Sequence, residues 1–173
     1  MNIFETERLL VRQFTTEDQE NFYRMNSHPQ VMEYIRPVKN QDETDHFLQL
    51  NIDQYSEQPL YGRWAVIEKA TGKSIGSFAI IPIDGTGKMQ VGYALMPEYW
   101  GKGYATELTF AGLRYFFTHT TVDLIYAETE QPNSASQNVL LKAGFKPSGS
   151  RMEEGKQLLE FVVRKEEFFA ITG

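Results

Sequence analysis

One segment of the chain, residues 89–107, most constrains its fold. Alternating residues from Met89 to Met96 predict a strand; a proline ends it, and Gly101 and Gly103 then form a turn that opens into a predicted helix at Tyr104. Glycine lets the backbone turn tightly and approach a ligand without a Cβ in the way. The unpaired amides and the positive end of the helix dipole face this turn. Because such a turn binds phosphate oxygens without basic side chains, the segment predicts a diphosphate ligand.

Two common nucleotide motifs do not fit this segment. The third glycine of a dinucleotide-binding fingerprint is replaced by Thr106, and Asp123, at about the right distance for a ribose contact, precedes its predicted strand instead of ending it. A kinase-type phosphate loop ends in Gly-Lys-Ser/Thr, whereas Lys102 is followed here by Gly103. A different diphosphate ligand is therefore expected.

Three motifs, in order along the chain, together resemble the GCN5-related N-acetyltransferase (GNAT) family. The run Trp100-Gly-Lys-Gly-Tyr-Ala105 resembles its pyrophosphate loop, with Trp100 in a place where the family has Gln or Arg. That departure is common in the RimJ/RimL-like branch of ribosomal-protein N-terminal acetyltransferases. Residues 133–145 resemble the Asn-x-x-Ser, helix and Lys-x-Gly-Phe segment of that branch, and residues 6–12 resemble its opening strand. The resemblance spans nearly the whole chain.

The predicted elements favour an α/β or α+β domain of mixed strands and interleaved helices. Strands are predicted at Leu9–Phe14, Arg63–Glu68, Ser74–Ile81, Leu124–Glu130 and Leu158–Arg164. Helices are predicted after Thr15, at Pro29–Tyr34, at Asp42–Tyr55, at Tyr104–Phe117 and after Asn133. The resemblance further implies a GNAT-like mixed, mostly antiparallel central sheet, flanked by helices and splayed at the cofactor cleft. We expect residues 1–173 to form a single domain.

Composition limits the possible functions. Without cysteine, the chain can form neither disulfides nor thiolate metal sites, and it has no cysteine nucleophile. His28, His46 and His119 share no metal-ligand spacing, so no metal site is predicted. A net charge of −6 argues against a nucleic-acid surface and leaves open a basic partner such as a cationic peptide or amine. The absence of an apolar signal core or membrane-length run predicts a cytoplasmic protein with no membrane contact.

The resemblance implies acetyl-CoA as cofactor, with its diphosphate on the glycine loop and its pantetheine arm along the preceding strand. The residues implied to contact it are Tyr93, Ala94, Leu95, Met96, Gly101, Lys102, Gly103, Tyr104, Ala105, Thr106, Asn133 and Asn138. Some have simpler explanations. The strand can be a core strand with incidental small residues, Asn133 can be a helix cap, and Asn138 can face water. Lys102 can meet a phosphate, although backbone amides already explain anion binding.

The resemblance also implies two catalytic groups. Glu128 lies where related RimI-type enzymes carry a glutamate base, and an amine must lose a proton before it attacks a thioester. Those enzymes use a tyrosine as acid at the position that Leu140 occupies here, so that role does not transfer. Ser136 is the matching donor candidate in the RimJ/RimL-like branch. The alternatives are a solvated glutamate at a sheet edge and a first-turn serine that bonds its own backbone.

The acceptor implied by the resemblance is a primary amine, either a small molecule or a protein N-terminus. Small amines, amino acids and antibiotics all remain open, as does a non-catalytic acyl-CoA-binding module. Tyr34, Arg36 and Trp64 either line the acceptor pocket or simply pack. The sequence allows a monomer or a homodimer.

Overall fold

The computed structural model describes residues 1–173 and contains one sheet of eight strands. The strands are β1 Asn2–Glu5, β2 Leu9–Arg12, β3 Gly62–Glu68, β4 Lys73–Ile83, β5 Lys88–Leu95, β6 Leu124–Glu130, β7 Lys146–Glu153 and β8 Lys156–Arg164. Their spatial order is β1-β2-β3-β4-β5-β6-β8-β7, and only β5 and β6 pair in parallel. The mixed, mostly antiparallel sheet predicted above is confirmed.

Six α-helices flank the sheet. They are α1 Gln19–Asn26, α2 Pro29–Met32, α3 Gln41–Gln54, α4 Tyr104–His119, α5 Ser134–Lys142 and α6 Lys165–Thr172. Single turns of 3₁₀ helix cover Thr16–Asp18 and Pro97–Tyr99. The Asn40 side chain accepts a hydrogen bond from the Glu43 amide (2.9 Å), and the Glu43 carboxylate accepts one from the Asn40 amide (2.9 Å). This reciprocal capping box starts α3 one residue before its predicted position. No helix is both long and apolar enough to cross a membrane.

The two faces of the sheet have separate cores. On the α4–α6 face, Trp64 and Phe78 pack with residues such as Phe116 of α4 and Phe168 of α6. On the α1–α3 face, Ala65 and Ala94 pack with the residues Phe22, Val31 and Leu48. Successive strand residues point to opposite faces, which is why Trp64 and Ala65 belong to different cores. Trp64 is 1% exposed, so packing, not an acceptor pocket, accounts for it.

A close approach sets the position of α4 on the sheet. A Cβ added at Gly112 would lie 2.2 Å from the Phe78 ring, well inside van der Waals contact. The helix therefore lies directly on an aromatic ring of β4, and its first turn lies beside the end of β5. This placement brings the glycine loop before α4 to the edge of the cleft described next.

The sheet splits between β5 and β6. These strands pair only at Met89–Ile125 and Gln90–Tyr126. Beyond those pairs β5 continues to Leu95 and β6 continues to Glu130 without further pairing, which leaves a slit in the sheet. The splay that the resemblance implied is therefore present, next to the loop before α4.

Candidate active site

The loop before α4 has the geometry of an anion site. Gly101 and Gly103 have φ angles of +69° and +78°, a region that residues with a Cβ rarely adopt. Nothing lies within 4 Å of a Cβ built at Gly101. The helix begins without a side-chain cap, so its first amides keep their hydrogen-bonding capacity. The loop is therefore open, with amide donors aimed at it, as a diphosphate requires.

Residues of the opening motif form hydrogen bonds with this loop and with the first turn of α4. Arg8 donates from Nε to Glu107 Oε2 (2.7 Å) and from Nη1 to the Lys102 carbonyl (2.9 Å). The Thr6 hydroxyl donates to the other oxygen of Glu107 (2.5 Å). Burial opposes ionisation of Glu107, but these hydrogen bonds outweigh it and hold its pKa below the usual value. Arg8 thus fixes the loop and compensates a carboxylate that would repel a phosphate.

Other side chains of the loop have partners elsewhere in the protein. The Tyr104 hydroxyl donates to Glu68 Oε1 (2.6 Å), which ties the first turn of α4 to β3. Trp100 donates from its indole nitrogen to the Leu95 carbonyl (2.7 Å), and Lys102 is exposed with its ammonium 5.2 Å from the Tyr99 ring. These contacts anchor the side chains of the loop to β3, to the end of β5 and to the preceding turn.

The backbone of β5 presents polar groups to the slit. Met96 donates its N–H to the Ile75 carbonyl, and the β4–β5 register pairs Leu95 with Gly76 and Tyr93 with Phe78. In an antiparallel ladder, hydrogen-bonded pairs alternate with non-bonded pairs. It follows that the N–H and C=O groups of Tyr93 and Leu95 point away from β4, into the slit. The Trp100 indole N–H bonds only the Leu95 carbonyl, so the N–H groups of Tyr93 and Leu95 stay available.

A hydroxyl pair lies on the α4–α6 side of the slit. The Tyr93 hydroxyl donates to Ser136 Oγ across 3.4 Å, and burial raises the pKa of Tyr93. Asn133 caps α5 by accepting from the Ser136 amide (3.2 Å), which fixes the position of the serine. Asn138, two residues further along α5, is exposed. The tyrosine hydroxyl was not anticipated from the sequence, because only the fold brings it beside a residue 43 positions later.

Glu128 occupies the opposite side of the sheet. Tyr126 faces Gln90 in register, so Glu128 and Gly92, each two residues further on, share the α1–α3 face. Nothing lies within 4 Å of a Cβ built at Gly92, so space is open beside it. Both Glu128 oxygens accept hydrogen bonds from Arg151 of β7, each at 3.1 Å. The sequence predicted the strand, but not this ion pair.

The candidate residues therefore form three groups around one slit. The loop residues from Gly101 to Thr106 lie at its end, and the backbone of residues 93–96 lines its edge. The side chains of Ala94 and Met96 are buried in the α1–α3 core and Met96 N–H bonds to β4, so the slit is lined by the backbone groups of Tyr93 and Leu95. Ser136 and Glu128 flank the slit on opposite faces. Asn138 stands outside these groups.

An open amide loop beside a split in a mixed sheet is the arrangement expected of a protein that binds a diphosphate ligand with a chain-like arm. Residues 8–146 match the family model of the acetyltransferase (GNAT) domain. The N-acetyltransferase p20 of Bacillus licheniformis, itself uncharacterized, is 30% identical over 152 residues, which cover 86% of this chain and 85% of the relative. The chain belongs to the GNAT acetyltransferase family.

Solved structures have the same architecture. A GNAT-family acetyltransferase from Bacillus anthracis superposes with a TM-score of 0.84 at 26% identity, covering 96% of this chain and 100% of that one. Spermidine N-acetyltransferase from Vibrio cholerae, in complex with CoA and spermine, has a TM-score of 0.80 at 20% identity, covering 95% and 99%. The protein is an N-acetyltransferase whose donor is acetyl-CoA, and the open loop, its amides and the slit fit that donor.

Proposed function

We propose that the protein transfers the acetyl group of acetyl-CoA directly to a primary amine while both reactants are held in the slit. One observation carries this proposal: the slit between β5 and β6 is bordered by an anion loop at its end and by polar groups on both faces. Holding two reactants in a reactive geometry contributes roughly 7–11 kcal/mol to catalysis. The absence of cysteine fits a reaction without an acyl-cysteine intermediate.

The α4–α6 face supplies the groups for the leaving side of the reaction. When bound, acetyl-CoA supplies the acetyl group as a thioester and departs as a thiol. The N–H groups of Tyr93 and Leu95 point into the slit, where they can stabilise negative charge on the acyl oxygen. A phenol with an ordinary pKa of 10.0 is already protonated at neutral pH, and burial raises the pKa of Tyr93 further. Ser136 accepts the hydrogen bond of this hydroxyl. We assign this pair the role of proton donor to the thiolate.

The α1–α3 face supplies the base. Glu128 is the carboxylate on this face beside the open space at Gly92. Its two hydrogen bonds to Arg151 orient it, and each oxygen keeps lone pairs for an incoming ammonium or a bridging water. We propose that Glu128 takes the proton of the amine, directly or through water.

The class of acceptor rests on two lines of support. The RimJ/RimL-like sequence motifs support a protein N-terminal amine. The fold shared with a spermidine N-acetyltransferase supports a small amine. A primary amine is common to both. The branch, a cytoplasmic location and a monomeric or dimeric state are predictions from the sequence.

The proposal is tested by a change in the anion loop. Gly103→Glu introduces a Cβ at a φ of +78° and a carboxylate among the amides, so we expect acetyl-CoA binding to be lost. Calorimetry with acetyl-CoA and thiol release with a panel of primary amines measure the two steps. Gly72→Glu is the matched control, because Gly72 has a similar φ of +69° in an open turn between β3 and β4. Equal loss in both variants, or unchanged binding in Gly103→Glu, contradicts the proposed site.

A further inference from the structure

Three cationic side chains surround one aromatic ring on the α1–α3 face. Around Phe47 of α3, the Arg36 guanidinium lies 5.1 Å from the ring centroid, the Arg63 guanidinium 5.5 Å and the Lys39 ammonium 5.6 Å. They come from the loop after α2 and from β3, so only the fold brings them together. We call these three residues the cation cluster.

None of the three residues of the cation cluster forms an ion pair within the protein. The ion pairs of the structure use other basic residues, namely Arg8, Arg12, Arg24, Lys69, Lys146, Arg151 and Lys156. Arg36 has one neutral partner, the Asn26 side-chain oxygen at 3.3 Å. Because acidic residues outnumber basic ones by 23 to 17, three adjacent cations without a carboxylate are a distinctive local feature.

This arrangement is unfavourable for the protein alone. Burial, with a contribution from the like charge of Arg36, lowers the pKa of Arg63 to about 9. Burial also lowers the pKa of Arg36. No carboxylate acts on either pKa. Partly buried charges of one sign cost folding free energy unless an anion compensates them. A ligand with a negative group would supply that compensation.

The sheet register connects the cation cluster to the slit. Arg63 pairs with Ala79, and Ala79 pairs with Gly92, so the three lie in one row on the α1–α3 face. Two strand spacings separate the Cα atoms of Arg63 and Gly92, about 10 Å. On the far side of the slit the row continues with Glu128, which pairs with Glu160 of β8. Small residues thus form a floor between the cation cluster at one end and, at the other, Glu128 and Glu160, which pair with Arg151.

We infer that the acceptor is a primary amine that also carries a carboxylate, held with its anion at the cation cluster and its amine towards Glu128. This inference rests on the proposed acetyl transfer and specifies its substrate class. The carboxylate of such a molecule would lie at the cation cluster, and its amine would lie near Glu128. A polyamine would instead bring more positive charge to Arg36, Lys39 and Arg63. The net charge of −6 leaves open a basic acceptor, whereas the cations near the slit favour an acceptor that carries a carboxylate.

Matched acceptors test the inference. Alanyl-glutamate amide, alanyl-glutamine amide and alanyl-lysine amide carry the same amine with a negative, neutral or positive side chain. Free glutamate, glutamine amide (which has no carboxylate) and spermidine form the corresponding small-molecule series. We expect kcat/KM to be about 10- to 100-fold higher for the acidic member than for its neutral amide, since a charge-assisted hydrogen bond is lost in the latter. The series with the higher absolute rates identifies a peptide or a free amino acid as the source of the anion.

Variants assign the preference to the cation cluster. Arg63→Gln and Arg36→Gln should each reduce the acidic-over-neutral preference, chiefly through KM, and Arg63→Lys should retain part of it. Arg63→Gln should also raise the melting temperature by about 2–4 °C, because it removes an uncompensated charge. Arg114→Gln is the control. Arg114 of α4 is also an arginine over aromatic rings, but it lies away from the cation cluster and its guanidinium is bonded to the Thr172 carbonyl.

The outcomes separate the two proposals. Transfer to amines with no preference for the acidic member, or a preference that survives in both glutamine variants, overturns the carboxylate inference and leaves acetyl transfer intact. Acetyl-CoA binding without transfer to any acceptor contradicts the proposed reaction. In that case a melting-temperature rise with alanyl-glutamate amide in the wild type, absent in Arg63→Gln, supports the anion site on its own; no rise overturns it.

Discussion

Individual side chains divide the proposed chemistry between two faces of the sheet. Tyr93 and Ser136 lie on the α4–α6 face, and Glu128 lies on the α1–α3 face. The position where RimI-type relatives carry a tyrosine acid is Leu140, which is 2% exposed and part of the core. Tyr93 brings a phenol to the same helix from a neighbouring strand. In the proposed mechanism, Tyr93 of β5 takes the role of that tyrosine.

Substitution of the two groups should change the pH dependence in different ways. We expect Tyr93→Phe to lower kcat about 100-fold without weakening acetyl-CoA binding, since general acid catalysis typically contributes 10²- to 10⁴-fold. Glu128→Gln should spare binding and flatten the rise of the rate with pH, because no carboxylate remains to take the proton. Steady-state kinetics from pH 6 to 9, with calorimetry for acetyl-CoA, measure both effects.

Ser134→Ala is a control for this experiment, because Ser134 is an exposed serine of the same helix turn. Full activity of Glu128→Gln at every pH would show that the base is another group or water. Unchanged kcat in Tyr93→Phe would remove the phenol from the mechanism.

At the scale of elements, packing of α4 on β4 determines where the anion loop lies. The loop precedes a helix whose position depends on Gly112 above Phe78. A side chain at this glycine must displace the ring or lift the helix. The position of the loop thus depends on a residue nine positions beyond it.

Gly112→Ala should destabilise the fold despite the better helix propensity of alanine. Overpacking costs about 1–3 kcal/mol and the propensity gain returns up to about 1 kcal/mol, so a net loss of about 1–2 kcal/mol is expected. Denaturant unfolding measures it. Phe78→Leu in the same chain should recover part of the loss relative to the sum of the two single changes. Additive effects of the two substitutions would argue against the close contact.

The elements differ in how well sequence reasoning recovers them. Strand β6 is predicted at its observed bounds, because alternating buried and exposed residues make a strong pattern. Strand β7 was not delineated, since all eight of its residues are exposed and no face is apolar. Helix α6 follows β8 without a side-chain cap, which leaves no start signal. Strand β1 was not predicted either, because its four residues are too few to show a pattern.

In the site, too, local patterns are readable from the sequence and contacts between distant residues are not. The loop around Gly103 is a local motif and is readable from sequence. The Tyr93–Ser136 contact, the Glu128–Arg151 pair and the cation cluster join residues distant along the chain. No sequence period encodes such contacts, because they depend on strand register and on helix placement. The opening motif is intermediate: its residues resemble the family, but only the structure explains Arg8.

For the whole molecule, carboxylates that tie α4 to the sheet link stability to pH. Hydrogen bonds from Tyr104 and Thr71 lower the pKa of Glu68, and the bonds from Thr6 and Arg8 hold down that of Glu107. A carboxylate with a depressed pKa stabilises the fold above its ordinary value near 4.5. This contribution is lost as the pH falls through the lower, folded-state value.

Glu107→Gln should therefore reduce the loss of stability on acidification. We expect the free energy of unfolding of the wild type to fall more steeply below about pH 4.5 than that of the variant. The variant should be less stable at pH 7, where the wild-type carboxylate is ionised and hydrogen-bonded. Denaturant unfolding from pH 3 to 7 measures both, with exposed Glu57→Gln as control. Parallel curves for wild type and Glu107→Gln would contradict the assignment.

The parting of β5 and β6 after two residue pairs has a practical consequence for inhibitor chemistry. In the proposed reaction the donor enters from one face of the sheet and the amine from the other, so a compound that joins both must pass through the slit between the two strand backbones. Its tether has to be slim and unbranched, about as wide as one extended polypeptide, and any bulky spacer would be stopped at the opening.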